Sequence, residues 1–140
     1  MIDDNPDWNE KDKILQSVPG VGPKTSQVII SALPELGELN RQKIAALVGV
    51  APFCSDSGMK SGARFIKGGR ADVRSALYMA TFNAINRDKT FRDFFERLTS
   101  RGKKYKVALV AAMRKMITIL NVMIKTKTCW GEHRVPSQKF

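Results

Sequence analysis

Metal ligands and cross-linkers are scarce in this sequence, which holds one histidine, His133, and two cysteines, Cys54 and Cys129. That excludes a zinc site with the usual Cys/His spacing and a disulfide framework; the thiols are expected to stay reduced in a cytoplasmic protein. Long apolar runs are missing too. The longest, VALVAAM at residues 107–113, falls far short of the roughly 20 residues of a membrane span, so no membrane partner is expected. The opening MIDDNPDWNEKDK is acidic and polar and lacks the basic start and apolar middle of a secretory signal. No internal repeat or low-complexity segment is present, which excludes solenoids and fibrous folds. The last shortage is of acids, with 13 Asp and Glu against 24 Lys and Arg and a formal net charge of +11.

What is there suits one globular core. The chain has 140 residues, of which 43% are hydrophobic and 26% charged, enough for a single packed domain and too little for two. The charge is unevenly spread. Residues 1–39 carry seven acids and three bases, whereas residues 60–106 carry thirteen bases and four acids. Such a block can be a solvated face that only keeps the protein soluble. A polyanion is the better match, and nucleic acid is the expected partner.

The periodicity predicts a mainly α fold, a compact helical bundle with an N-terminal helix-hairpin-helix and a small β-hairpin or glycine-rich loop in its middle. A first helix is expected over about 10–18, a second from Pro23 to about Leu33, and a third capped by Asn40 and running to Val48. Between residues 49 and 69 the helical period vanishes and glycines punctuate the chain, with VAPF and ARFI as possible hairpin arms. Helical spacing returns from Ala71 to near Asn86. Thr90 with Asp93 resembles a helix start, with Phe91, Phe94, Phe95 and Leu98 as the buried face and Gly102 as the stop. The last helix, about 104–125, is apolar except for a strip of Arg114, Thr118, Asn121 and Lys125, so it should be the centre of the bundle. Residues 1–9 read as a flexible acidic lead and 129–140 as a tail. Between them, 10–128 form the domain, divided into the helix-hairpin-helix (10–37), the loop (49–69) and the later helices (70–125).

In SVPGVGPKTSQVII, residues 17–30, Gly20 and Gly22 let the chain reverse within a few residues and run straight into a helix N-terminus. The unpaired N–H groups of a first turn, together with the positive end of the helix dipole, suit a phosphate oxygen. Lys24 and Thr25 add a charge and a hydroxyl. The pattern resembles the helix-hairpin-helix motif of many DNA-binding proteins, and contacts of this kind hold the backbone without reading bases. The plainer alternative is a helix–helix turn whose glycines serve packing alone.

The loop LVGVAPFCSDSGMKSGARFIKGGRADVR sets Ser55, Ser57 and Ser61 among Lys60, Arg64, Lys67, Arg70 and Arg74. A serine hydroxyl becomes a nucleophile when its proton is taken up and cations stabilise charge on the attacked phosphate. On loop chemistry alone, capping of turns is the ordinary role of such serines, and all three remain open as nucleophiles. Tyr78 and Tyr105 lack the arginine and histidine companions of a tyrosine nucleophile, and core packing is expected for Tyr78. Trp8 and Trp130 lie in polar ends, where docking on another domain or subunit is expected.

The ordered blocks SVPGVGPKTSQVIISALPELG, QKIAALVGVAPFCSDSGMKSG, GGRADVRSALYMATFNAINRD and FFERLTSRGKKYKVALVAAMRKMITILNVMIK cover most of the chain. Together they resemble the C-terminal domain of the bacterial insertion-sequence transposases related to Piv-type DNA invertases. The resemblance implies a DNA recombinase in which a serine attacks DNA and becomes joined to a phosphate. The family's serine precedes glycine in the loop after Ala-Pro, which here is Ser57 of SDSG. It also implies a RuvC-like N-terminal domain that binds divalent metal, Mg, through four acids, a structured guide (bridge) RNA as partner, and a homo-oligomer. The chain has no room for that domain before the hairpin, so it is expected to be part of a longer protein, inactive in strand transfer alone and binding no cofactor itself. Asp3, Asp4 and Asp7 are read as solvated charges. A non-catalytic helix-hairpin-helix nucleic-acid-binding module is the alternative.

Overall fold

The computed structural model describes residues 6–51 and 70–131. Six helices lie within them: α1 (Pro6–Gln16), α2 (Pro23–Ala32), α3 (Arg41–Val48), α4 (Ala71–Arg87), α5 (Lys89–Ser100) and α6 (Tyr105–Thr126). No strand occurs among the described residues; the expected β-hairpin, apart from Val50 and Ala51 at the start of its first arm, lies outside them. The fold is mainly helical, as the periodicity predicts.

Several boundaries follow from caps. The Asn40 carboxamide accepts the Lys43 N–H at 2.8 Å, and Gly49 closes α3 in the left-handed conformation (φ 89°), its N–H donating to the Ala45 and Ala46 carbonyls. Between α4 and α5 one residue serves both ends. Asp88 donates its N–H to the Ala84 carbonyl at 2.8 Å and accepts the Phe91 N–H on its carboxylate at 3.2 Å. The helix start expected at Thr90 and Asp93 is therefore set by Asp88, and Asp93 pairs instead with Lys89 at 2.7 Å. α1 begins at Pro6, earlier than expected, because a proline and Asp7 supply a good first turn. Residues 6–9, expected to belong to a flexible lead, are helical here, and Trp8 is packed against the core.

α6 is the post around which the others stand. It packs against α1, α3, α4 and α5, while α4 packs against α2, α3, α5 and α6. Ala108, Leu109, Ala112, Met113, Met116, Ile117, Ile119, Leu120, Met123 and Ile124 are all buried on it. The same core holds Leu15, Ile29, Leu33, Ile44, Leu77 and Phe91, each under 2% exposed, and each worth about 1.5–3 kcal/mol by area removed from water. By length and composition α6 alone among the described helices could cross a membrane. The count of unbroken apolar runs misses this because Arg114 and Lys115 interrupt the sequence there. In the fold 72% of its apolar stretch is buried inside the protein, as in the core helix of a bundle.

The polar strip expected along α6 is built into the interior. Thr118 donates its hydroxyl to the Arg114 carbonyl at 2.8 Å. Asn121, only 2% exposed, accepts the Gly37 N–H at 2.6 Å and donates to the Leu39 carbonyl at 2.8 Å. It thereby ties the α2–α3 connection to α6. Gly37 (φ 91°) has to be glycine there, since a Cβ would lie 2.7 Å from Ile124 Cγ2. Lys115, which no periodicity singled out, is 6% exposed with its ammonium 4.9 Å from the centre of the Phe94 ring. Burial lowers its pKa, with a further contribution from Arg97.

The start of the expected tail is part of the fold. The Trp130 N–H donates to Ser17 Oγ at 2.9 Å, and its ring stacks on Phe91 with centroids 6.1 Å apart. The sequence gives no sign of this because an aromatic contact between distant positions leaves no periodic trace. Trp8 and Trp130 thus dock on this chain's own core. Tyr78, expected in the core, is 41% exposed and stacks on Phe82 at 6.3 Å; one position around the helix from the inward-facing Leu77 carries it past the buried stripe. Of the α5 aromatics only Phe91 is fully buried, while Phe94, Phe95 and Leu98 are partly exposed.

Removing the Asn121 carboxamide leaves the Gly37 N–H and Leu39 carbonyl without their partner. Asn121→Ala is therefore expected to lower unfolding free energy by about 2–3 kcal/mol, read as a lower midpoint in urea at unchanged slope. An unchanged midpoint contradicts the staple.

Candidate nucleic-acid interface

The hairpin is pinned from beneath. Val18 and Val21 are buried, at 2% and 5% exposure, and the turn is closed by N–H groups of Ser17, Val18 and Val21 donating to the carbonyls of Ile14, Leu15 and Val18. Ser26, on the inner side of α2 and fully buried, donates its hydroxyl to the Asp12 carboxylate at 2.7 Å. Gln16 donates to the other Asp12 oxygen at 2.9 Å. These bonds hold α1 and α2 at a fixed angle. Asp12 carries this part of the geometry although the acidic N-terminal region gives no hint of it.

The two hairpin glycines have different reasons to be glycine. Gly20 has φ 96°, and a Cβ there would lie 2.4 Å from the Ala80 carbonyl oxygen and 2.8 Å from the Ala84 nitrogen. It lets the turn touch the backbone of α4, which is the packing role. Gly22 is in extended conformation with open space where a side chain would be. It stands at the N-cap of α2, where no side chain caps the first turn and Pro23 follows. The N–H groups of Lys24 and Thr25 therefore have no partner inside the helix. Lys24 is exposed and Thr25 partly so, giving a positive, sterically open helix terminus.

The serine loop lies outside the described residues, and with it Ser57, Lys60, Arg64 and Lys67. Its two ends are described, and arginines hold both. At the leading end, Val50 is 1% exposed and its carbonyl accepts Arg114 Nε at 2.8 Å; burial pushes the Arg114 guanidinium pKa down. Arg74 reaches the Val48 carbonyl at 3.5 Å, with its side chain across Gly49. At the trailing end, Arg70 forks onto Glu35 with bonds of 2.9 and 3.0 Å and donates to the Ala32 carbonyl at 3.0 Å. The hydrogen bond from Arg70 holds the Glu35 carboxyl below the usual carboxylate range, and the pairing raises Arg70 in turn.

Of the residues singled out by the sequence, Gly20, Gly22, Lys24 and Thr25 are together at the start of α2. Arg70 meets the other end of that helix, about 14 Å away at 1.5 Å per residue, and its charge is already matched by Glu35. Arg74 flanks the loop rather than the hairpin. Arg114 belongs to the polar strip expected along α6, and its hold on Val50 has no sequence signal, since the two are 64 residues apart. Among the described residues no group of three or more His, Cys, Asp or Glu side chains is placed to hold a metal ion.

A family model described as "Transposase IS116/IS110/IS902 family" matches residues 12–96. Among curated proteins, the chain is 30% identical over 129 residues to a pilin gene-inverting protein of Moraxella bovis, covering 89% of this chain and 40% of that protein. It is 29% identical over 126 residues to the insertion element IS110 uncharacterized 43.6 kDa protein of Streptomyces coelicolor, covering 89% of this chain and 31% of that one. It is also 27% identical over 119 residues to the insertion element IS900 uncharacterized 42 kDa protein of Mycobacterium paratuberculosis. The chain thus spans two fifths or less of the length of these relatives.

The two glycines are expected to respond differently to substitution. Gly20→Ala forces a backbone clash at positive φ and is expected to cost about 2–4 kcal/mol, lowering the melting temperature by several degrees. Gly22→Ala is expected to leave the melting temperature nearly unchanged and to weaken duplex DNA binding in a fluorescence-anisotropy titration. Equal melting temperatures for the two variants contradict the assignment.

Proposed function

The chain belongs to the IS116/IS110/IS902 transposase family, and from that premise we propose that it is the DNA-binding C-terminal part of a transposase or site-specific recombinase. In this reading α2 seats a phosphate on the N–H groups of Lys24 and Thr25, with the Lys24 ammonium beside it. The observation that carries this is the open, uncapped first turn of α2 above a hairpin held rigid by Gly20 and Asp12.

Ser57 is the proposed nucleophile. Its oxygen bonds to phosphorus as the bond from phosphorus to one deoxyribose oxygen breaks, and the serine proton is passed on so that the leaving oxygen departs as a hydroxyl. The energy of the phosphodiester is kept in the serine–phosphate ester, ready for rejoining. Lys60, Arg64 and Lys67 are the proposed stabilisers of charge on the phosphate oxygens, and Arg74 a flanking one. Arg70 belongs to the frame, given its fork onto Glu35. The pinning of Val50 by Arg114 and of Arg70 by Glu35 gives the loop fixed ends, which supports a loop that presents its serine at a set place.

Divalent metal is proposed to belong to a separate RuvC-like domain. The described residues offer no fitting donor set, and no step above depends on it. A structured guide RNA and a homo-oligomeric assembly are proposed on the same family footing.

The test uses a labelled, nicked duplex that traps a covalent intermediate, incubated with the chain in the presence of the metal-binding domain. An adduct that survives denaturation, persists in Ser55→Ala and Ser61→Ala, and disappears in Ser57→Ala is expected. An adduct retained in Ser57→Ala contradicts the assignment. Salt-sensitive duplex binding with no adduct in any variant leaves the non-catalytic helix-hairpin-helix module.

A further inference from the structure

A second positive surface lies at the corner between α5 and α6. Residues 97–107 read RLTSRGKKYKV and contain five cations and no acid. Arg97, Arg101, Lys103, Lys104 and Lys106 are all exposed. None of them joins an ion pair among the described residues.

The corner is built rather than loose. Gly102 (φ 94°) donates its N–H to the Thr99 carbonyl, and Lys103 donates its own to the Leu98 carbonyl at 3.1 Å. This paired 5→2 and 6→1 closure ends α5 and sets the direction of the next segment. Lys104 then opens α6, whose first turn has neither an acid nor a side-chain cap.

An aromatic ring stands among these charges. Tyr105 is 53% exposed although it meets Phe95 edge-on at 5.4 Å, and Val107 beside it is 52% exposed. The contact with Phe95 orients the tyrosine ring and leaves about half of the residue exposed. Arg97 lies over Phe94, 5.5 Å from the ring centre, which holds a second cation near the same corner.

This place is separate from the hairpin. α6 runs from Tyr105 to Thr126, a length of about 32 Å at 1.5 Å per residue. The hairpin and α1 attach at its far end, through Trp130 to Ser17 and Lys127 to Glu10. Arg114, which holds the start of the serine loop, is nine residues along α6 from Tyr105, about 14 Å. The loop therefore leaves the scaffold between the two positive ends.

A cationic corner closed by backbone hydrogen bonds, with a half-exposed aromatic ring among its charges, has the chemistry of a site for an unpaired polynucleotide strand. Cations track the phosphates and a base stacks on the ring without regard to sequence. A duplex offers the same phosphates but keeps its base faces stacked away from a tyrosine. We propose that the α5–α6 corner binds an unpaired nucleic-acid strand, its phosphates on Arg101, Lys103, Lys104 and Lys106 and one base stacked on Tyr105. The proposal is independent of Ser57 and of the α2 grip. The strand is recognised by charge and base face alone, so DNA and RNA serve equally.

The test measures fluorescence anisotropy with the full chain, using a labelled twelve-nucleotide oligo-dT, the matching oligo-U and a twelve-base-pair duplex. Tyr105→Ala is expected to weaken oligo-dT and oligo-U binding roughly tenfold or more, while Tyr105→Phe retains it. Lys103→Glu combined with Lys104→Glu is expected to abolish it at moderate salt. Duplex binding should change by less than about twofold in Tyr105→Ala and fall in Lys24→Glu, which leaves oligo-dT binding in place; melting curves confirm that each variant is folded. Single-strand binding unchanged in folded Tyr105→Ala and in the double variant overturns the proposal, as does a loss that is equal for strand and duplex. Failure of Lys24→Glu to affect the duplex would instead count against the α2 grip alone.

Discussion

A helix buried on nearly every side can carry a polar group only where another element brings it a partner, and α6 is such a helix. Its interior polar positions therefore decide where the rest of the chain must go. Asn121 needs the Gly37 N–H and the Leu39 carbonyl, which fixes the connection from α2 to α3. Arg114 finds the Val50 carbonyl, which fixes the point where α3 gives way to the serine loop. Lys115 lies against Phe94, which sets α5 beside it. An apolar α6 would bury as much surface but would leave these three connections free to slide.

That rigidity bears on the proposed nucleic-acid binding because a phosphate grip made of backbone N–H groups would have no adjustable parts. The groups are useful only if the turn that carries them is held still. Gly20 allows backbone-to-backbone contact with α4, and Asp12 locks α1 to α2 through Ser26. Gly22 leaves the approach open. In the motif one glycine is required by packing, and the other stands at an open helix terminus. Arg70 follows the same division of labour. A cation beside a serine loop can face a phosphate or hold the frame, and Arg70 forks onto Glu35.

Local chemistry was legible in the sequence, and long-range contact was not. Asn40 and Gly49 bound α3, and Pro23 opens α2, because caps and first-turn prolines act over a few residues. The inward stripe of α4 at Val73, Leu77, Ala80 and Ala84 follows from period alone. The misses are of two kinds. Competing local signals hid Asp88, whose cap lies just before the Thr90 and Asp93 pattern, and Pro6, which starts a helix inside an acidic stretch. Contacts between distant positions hid the docking of Trp130 on Phe91, the Asn121 staple and the arrest of Arg70 by Glu35, since nothing local distinguishes a bound polar residue from a solvated one. For the site, the hairpin was readable as a turn into a helix. The separate duties of its glycines required the position of α4. The place of Ser57 rests on the resemblance of its motif.

The proposed phosphate grip depends on a fixed scaffold that presents the bare first-turn N–H groups of α2. Two-dimensional amide NMR during titration with duplex DNA observes those groups directly. The Lys24 and Thr25 amides should show the largest shifts among the α1–α2 signals, while the interior amides of α6, from Met116 to Met123, stay in place. Saturable duplex binding that leaves the Lys24 and Thr25 amides unmoved would contradict it.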